Sequence, residues 1–184
     1  ETDLIENLRY GENPHQIGAF YSQNMKNKLE QLHGKTLSYN NYSDIFAALT
    51  ISKSLPKNTG TAIVKHGNPC GVSALKNNLD SYKSALESDP ISAFGGIISC
   101  NYKITQKLAL ILNKIFLEVI VANGFEKKAL KILKSKKNLR LIDSSKITFN
   151  EIWKFSSVDN FTLIQSEDRK IFSKKDFRIV SKKK

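Results

Sequence analysis

Apolar positions along the chain form short runs, and the spacing within each run distinguishes helix from strand. Ser43 stands as an N-cap before residues 44–55, whose apolar spacing predicts a helix that Pro56 stops. Thr61–Val64 reads as a buried strand. A helix follows over Asn78–Ser88, broken at Asp89-Pro90, and then a strand over Ile97–Cys100. Leu108, Ile111, Leu112 and Ile115 recur at helical spacing within Thr105–Ile115, and Ala129, Leu130, Ile132 and Leu133 do so within Phe125–Lys136. Strands over Glu118–Ala122 and Leu139–Ile142 follow these two helices in alternation. Phe161–Gln165 and Phe177–Val180 read as two further strands beyond a polar interval. Residues 1–42 are punctuated by Gly11, Pro14, Gly18 and Gly34 and read as mostly loop, with a short apolar piece at Ala19–Tyr21. Strands alternating with helices predict an α/β layer around a largely parallel or mixed sheet, with neither an internal repeat nor a linker.

Composition narrows the class. At 184 residues, with 40% apolar and 25% charged positions, the chain suits one compact domain and is too apolar for disorder. No apolar run approaches the roughly 18 residues that cross a bilayer, so a membrane partner is not expected. The formal charge of +12 invites an anionic ligand or a nucleic acid. Against nucleic acid, the lysines are scattered, and no aromatic platform interleaves with arginine. Arginine occurs only at positions 9, 140, 169 and 178. Cys70 and Cys100 are too few for a disulfide framework, no secretory leader is evident, and a reducing cytoplasm is the expected compartment. Both ends read as cuts through a longer polypeptide.

Three clusters carry candidate chemistry. Arg9-Tyr10-Gly11-Glu12-Asn13-Pro14-His15-Gln16 offers a guanidinium fork, suited to phosphate, beside a phenol on a tight loop. The alternative is a loop held by its own polar groups, with Arg9 on a surface carboxylate. Lys65-His66-Gly67-Asn68-Pro69-Cys70-Gly71 sits where a buried strand gives way to a Gly- and Pro-shaped turn, the usual place for catalytic groups in α/β sheets. A Lys and a His there can take a proton from a weak amine and stabilise a leaving group. A surface Lys and a core-edge His is the plainer reading. Pro69-Cys70 resembles half of a zinc-deaminase signature, but Ser73 replaces the second Cys and the His-x-Glu half is missing, so no metal is expected. Cys70 as a nucleophile would depend on His66 as its base. In the third cluster, Gly95-Gly96 before a strand can offer backbone amides to a ligand or form a simple tight turn. Glu118, opening its strand, can accept from a ligand amine or ribose, or face solvent.

Taken in order, Arg9–Gln16, Leu32–Asn41, Ile63–Gly71, Ser92–Gly96, Glu118–Ala122 and Ala129–Ile142 with Lys136-Lys137-Asn138 resemble the signature blocks of the AICAR formyltransferase/IMP cyclohydrolase family. The resemblance spans essentially the whole chain. It implies an α/β, cytidine deaminase-like layered unit, a mixed sheet flanked by helices and without catalytic zinc. Residues 1–184 would be the first of two such units, with the second unit and the cyclohydrolase domain outside the chain. It implies transfer of a formyl group from 10-formyltetrahydrofolate, the co-substrate, to the amine of 5-aminoimidazole-4-carboxamide ribonucleotide (AICAR) in purine biosynthesis. His66 would be the base, and Lys65 would stabilise charge or protonate the folate nitrogen. Arg9 and Tyr10, with Gly95 and Glu118, would hold the nucleotide. A homodimer sharing its active site is implied, so the chain alone would show little or no turnover. The competing reading is a basic binding module or a dimerisation remnant without catalysis.

Overall fold

The computed structural model describes residues 3–22, 29–148, 153–166, 168, 174–178 and 180. Two compact units divide the chain, Glu1–Ile147 and Thr148–Lys184, at the polar interval where no linker was expected.

The first unit opens with a hairpin of β1 (Asp3–Leu8) and β2 (Gly18–Ser22), followed by β3 (Glu30–His33) and α1 (Tyr39–Ser54). β1 and β3 fall in the region expected as loop. Leu4, Ile5 and Leu8 do not alternate, so only their pairing with β2 reveals a strand. α1 begins a turn earlier than Ser43 suggests. Ser38 is its N-cap: Ser38 Oγ accepts from the Asn41 N–H at 3.2 Å, and Asn41 Oδ1 accepts from the Ser38 N–H at 3.2 Å. This reciprocal box uses Asn where Glu or Gln is usual, which hides it from a pattern search.

After α1 come β4 (Gly60–Lys65), β5 (Asn68–Ala74), α2 (Asn78–Ser88), β6 (Ile97–Cys100), α3 (Gln106–Leu112), β7 (Val119–Ala122), α4 (Lys127–Leu133) and β8 (Arg140–Asp143). α3 and α4 end sooner than their apolar spacing predicts, because their last turns tighten to i→i−3 bonds (Lys114 N–H to Ile111 O; Lys136 N–H to Leu133 O).

Six strands pair in the order β3-β8-β7-β6-β4-β5. β6, β7 and β8 are mutually parallel, and β4, β5 and β3 join antiparallel. The expected α/β architecture is therefore present, with a mixed sheet flanked by helices. Ile63, Ile98, Ile120 and Leu141 stand opposite one another across four strands and pack with Tyr82, Leu108, Leu112 and Leu133. Side chains alternate along strands, so Ala62, Ser99 and Val121 turn to the other face. There Ser52 Oγ of α1 hydrogen bonds Ser99 Oγ at 2.7 Å. No helix among the described residues is long and apolar enough to cross a membrane.

The second unit contains an antiparallel hairpin of β9 (Trp153–Val158) and β10 (Phe161–Ser166), so the strand expected over Phe161–Gln165 is present. The strand expected over Phe177–Val180 is not: Phe177, Arg178 and Val180 lie outside any strand, Lys174–Asp176 form a 3-10 turn, and Ile179 falls outside the described residues.

Candidate active site

One rim of the first unit's sheet collects all the candidate groups. Because β4 runs against β6–β8, its C-terminal end meets the N-terminal ends of the parallel strands. The site therefore lies on the N-terminal edge of the parallel set, opposite to the edge favoured in all-parallel sheets. Lys65 closes β4, and the antiparallel direction of that strand sets which edge its end reaches. Along this rim lie the turn after β4, Gly95-Gly96 before β6, Glu118 before β7, Arg140 opening β8, and the segment after β3.

The expected broad turn at residues 65–71 is a hairpin. β5 begins at Asn68, and only His66 and Gly67 form the loop. Both have positive φ, 54° and 75°, as a two-residue hairpin turn of primed type requires. That conformation is free for Gly67 but costs His66 about 1–2 kcal/mol. Two hydrogen bonds offset the cost: the Gly67 N–H donates to Asp44 Oδ1 at 2.6 Å, and Asn68 Nδ2 donates to the His66 carbonyl at 3.0 Å. A bond to a carboxylate contributes about 1.5–3 kcal/mol. His66 is exposed and lines a hollow of about 190 Å³ with Glu12, Asn40, Ser43, Asp44 and Gly67. Lys65 is half-buried, and its Nζ donates to the Phe94 carbonyl at 2.8 Å. An ammonium has three protons, so one such bond leaves donors for a ligand.

A second hollow, of about 170 Å³, is lined by Arg9, Tyr10, Lys35, Thr36, Leu37, Ser38 and Arg140. Three cations thus share one hollow. The Arg9 guanidinium lies 5.8 Å from the Tyr10 ring centroid, a cation–π contact, and among the described residues it has no carboxylate partner. The loop that carries it is held by Gln16: the Gly11 N–H donates to Gln16 O at 2.9 Å, and the Asn13 N–H donates to Gln16 Oε1 at 2.7 Å. Self-bracing and an available Arg9, treated as alternatives in the sequence, occur together. Arg140 Nε donates to Thr36 O at 3.1 Å, and its guanidinium lies 3.8 Å from Glu118 Oε2. Burial lowers the Arg140 pKa from its usual value, and the Glu118 carboxylate acts in the opposite direction.

The two hollows adjoin. Tyr10 lines one and Glu12 the other, at most about 7 Å of backbone apart. Ser38 and Asn40, at the start of α1, divide in the same way. Glu118 joins α1 to Arg140 of the cationic hollow: its Oε2 accepts from Asn41 Nδ2 at 3.0 Å and lies 3.8 Å from the Arg140 guanidinium.

Gly95 requires a correction. Its φ is +72°, but its N–H donates to Phe116 O at 2.9 Å, and the Gly96 N–H donates to Ala93 O at 3.0 Å. Neither amide is left for an anion, so a backbone contact at Gly95 must use its carbonyl or Cα–H. A third hollow, of about 460 Å³, lies beside this turn, with Phe94 and Phe116 at a centroid separation of 5.2 Å and Lys114, Lys136 and Lys137 around it. Cys70 is no nucleophile paired with His66: its Sγ donates to Ile63 O at 3.5 Å, and burial pushes its thiol pKa up. No cluster of three or more potential His, Cys, Asp or Glu metal ligands occurs among the described residues.

Sequence reasoning did not single out Lys35, Asn41, Asp44 or Arg140 as site residues. For Arg140 the signal was present, as it is one of four arginines in a chain whose other cations are lysines. The other three are polar residues near turns and caps, which only the fold brings to the rim.

Comparison with known proteins points to the same family. The model of the AICARFT/IMPCHase bienzyme family matches residues 1–184. The bifunctional purine biosynthesis protein PurH of Acetivibrio thermocellus is 41% identical over 190 residues, covering 99% of this chain and 37% of that protein. PurH of Bacillus cytotoxicus is 46% identical over 169 residues, covering 89% and 33%. This chain thus spans about a third of the length of these curated relatives. Among solved structures, the apo dCMP deaminase of cyanophage S-TIM5 aligns with a TM-score of 0.39 at 12% identity, over 53% of this chain and 93% of that one. The family match covers every residue, and on it this chain belongs to the AICARFT/IMPCHase bienzyme family.

Proposed function

We propose that residues 1–184 are the first cytidine deaminase-like unit of a formyltransferase domain, and that their rim forms part of its active site. The reaction transfers a formyl group from 10-formyltetrahydrofolate to the amine of AICAR. The amine nitrogen attacks the formyl carbon, the carbon–N10 bond of the folate breaks, and one amine proton ends on N10. The products are formyl-AICAR and tetrahydrofolate, and the full protein then cyclises formyl-AICAR to IMP.

The single observation that carries this reading is the adjacency of a three-cation hollow to the one lined by His66. The Arg9, Lys35 and Arg140 hollow suits the nucleotide phosphate, since guanidinium forks match phosphate oxygens and Tyr10 adds a phenol. Glu118, beside Arg140, suits a ribose hydroxyl. His66 is the general base for the amine, and Lys65 supplies a proton or a stabilising charge at N10. The aromatic, lysine-rimmed hollow beyond Phe94 is the part of this chain we assign to the folate. Exposure of His66, and of Ile91 and Phe94 (86% and 58%), supports a site completed by the rest of the polypeptide and by a second copy in a homodimer. The chain alone then turns over little or nothing.

Full-length protein assayed with AICAR and 10-formyltetrahydrofolate tests the reading, and absence of formyl transfer would refute it. Arg140→Leu is expected to raise the KM for AICAR about 10- to 100-fold, the effect of losing one charge-assisted bond to phosphate. An unchanged KM would remove Arg140 from the phosphate site. Lys65→Ala is expected to lower kcat and kcat/KM together, as the loss of a transition-state interaction does. A change confined to KM would leave Lys65 a binding role only.

A further inference from the structure

We propose that Asp44 is a positioning residue for His66: its carboxylate anchors the His66-Gly67 turn to α1 and so fixes the imidazole relative to the nucleotide hollow. The inference rests on the reading of His66 as the base, and assigns Asp44 a task within that reading.

Beyond the β4–β5 ladder, which closes the turn at the Lys65–Asn68 pair, little else holds it. A Cβ added at Gly67 would meet nothing within 4 Å, and residues 66–69 are all exposed, so side-chain packing does not fix the loop. His66 also holds a left-handed backbone, uncommon for any residue but glycine. The Asn68 side chain closes the turn on itself through the His66 carbonyl, but this bond lies within the hairpin and ties it to nothing outside. The 2.6 Å bond from the Gly67 N–H to Asp44 Oδ1 ties it to a neighbouring element.

That element is also the one on which the nucleotide side of the rim is built. α1 carries Ser38 at the cationic hollow and Asn41, whose amide donates to Glu118, which faces Arg140. Asp44 lies one helical turn beyond Asn41 on the same rigid rod. Base and anion hollow are thereby referred to one helix, and cutting the link at Asp44 frees the base while the hollow stays intact. Misplacing a catalytic group by about 1 Å can cost about 100-fold in rate.

The test uses full-length protein and three variants. Asp44→Ala is expected to lower kcat for formyl transfer 10- to 100-fold with little change in the KM for AICAR. Alanine is the best helix former, so α1 itself is not weakened, and an unchanged thermal midpoint would show that the fold persists. Asp44→Asn keeps an oxygen that can accept from Gly67 and is expected to restore kcat to within about threefold of wild type. An Asn variant as slow as the Ala variant would overturn the proposal, because the carboxylate charge and not the anchor would then matter. Asp44→Ala with wild-type kcat would also overturn it. His66→Ala separates the two levels: if that variant is inactive while Asp44→Ala is fully active, only the anchor is wrong. If His66→Ala keeps wild-type kcat, the base assignment fails and the anchor fails with it.

Discussion

Replacing His66 with Ala in the full-length protein is expected to cut kcat for formyl transfer about 10²- to 10⁴-fold, the usual contribution of a positioned general base. The KM for AICAR should change little, because the cations assigned to the phosphate line a separate hollow that His66 does not touch. The amine of AICAR is conjugated to its ring and is a weak nucleophile, so proton removal must accompany attack. Steady-state kinetics in both substrates would show the effect. Turnover within a few-fold of wild type would mean that the amine loses its proton to another group, and His66 would then be only the corner of a hairpin.

Gly71→Ala is expected to destabilise the first unit strongly. Gly71 is buried on β5, opposite Ile63 of β4, and a Cβ there would run into the backbone carbonyl of Ala85 on α2. Neither side can yield cheaply. β5 is held by its ladder with β4, and the Ala85 carbonyl belongs to a helix capped by Asn77, whose Oδ1 accepts from the Leu79 and Asp80 N–H groups. Overpacking against backbone costs about 3 kcal/mol, a large share of a typical domain stability of 5–15 kcal/mol. A thermal midpoint lowered by roughly 6–12 °C should follow, with faster amide exchange in β5 and α2. A midpoint within 1–2 °C of wild type would show that the helix can lift off the sheet at little cost. The turn carrying His66 opens the same strand, so lost packing at Gly71 should also appear as lost activity.

Much of the fold was legible because burial leaves a periodic trace. β6 and β7 are fully buried runs of strand length, β8 carries the buried pair Leu141-Ile142, and α2 shows both a cap and a breaker. What the pattern missed lacks that trace. β1, β3 and β9 are largely exposed strands of mixed composition, and β5 lies at the sheet edge with Pro69 near its start, where no second neighbour demands an N–H. The start of α1 was missed because Asn41 takes the part usually played by Glu or Gln.

By itself the sequence determined the class of fold, the family blocks and the residues that can do acid–base and anion chemistry. It did so because residue type and local spacing encode burial and protonation. The tertiary structure alone decided which of these residues share a rim. That depends on the antiparallel entry of β4, which brings the Lys65-His66 end of one strand to the starts of three others. It also decided that the Gly95 and Gly96 amides are already paired, and that Lys35 and Arg140 join Arg9. Strand direction and long-range hydrogen bonds are set by how the whole chain satisfies its backbone, and no local window of residues contains that information.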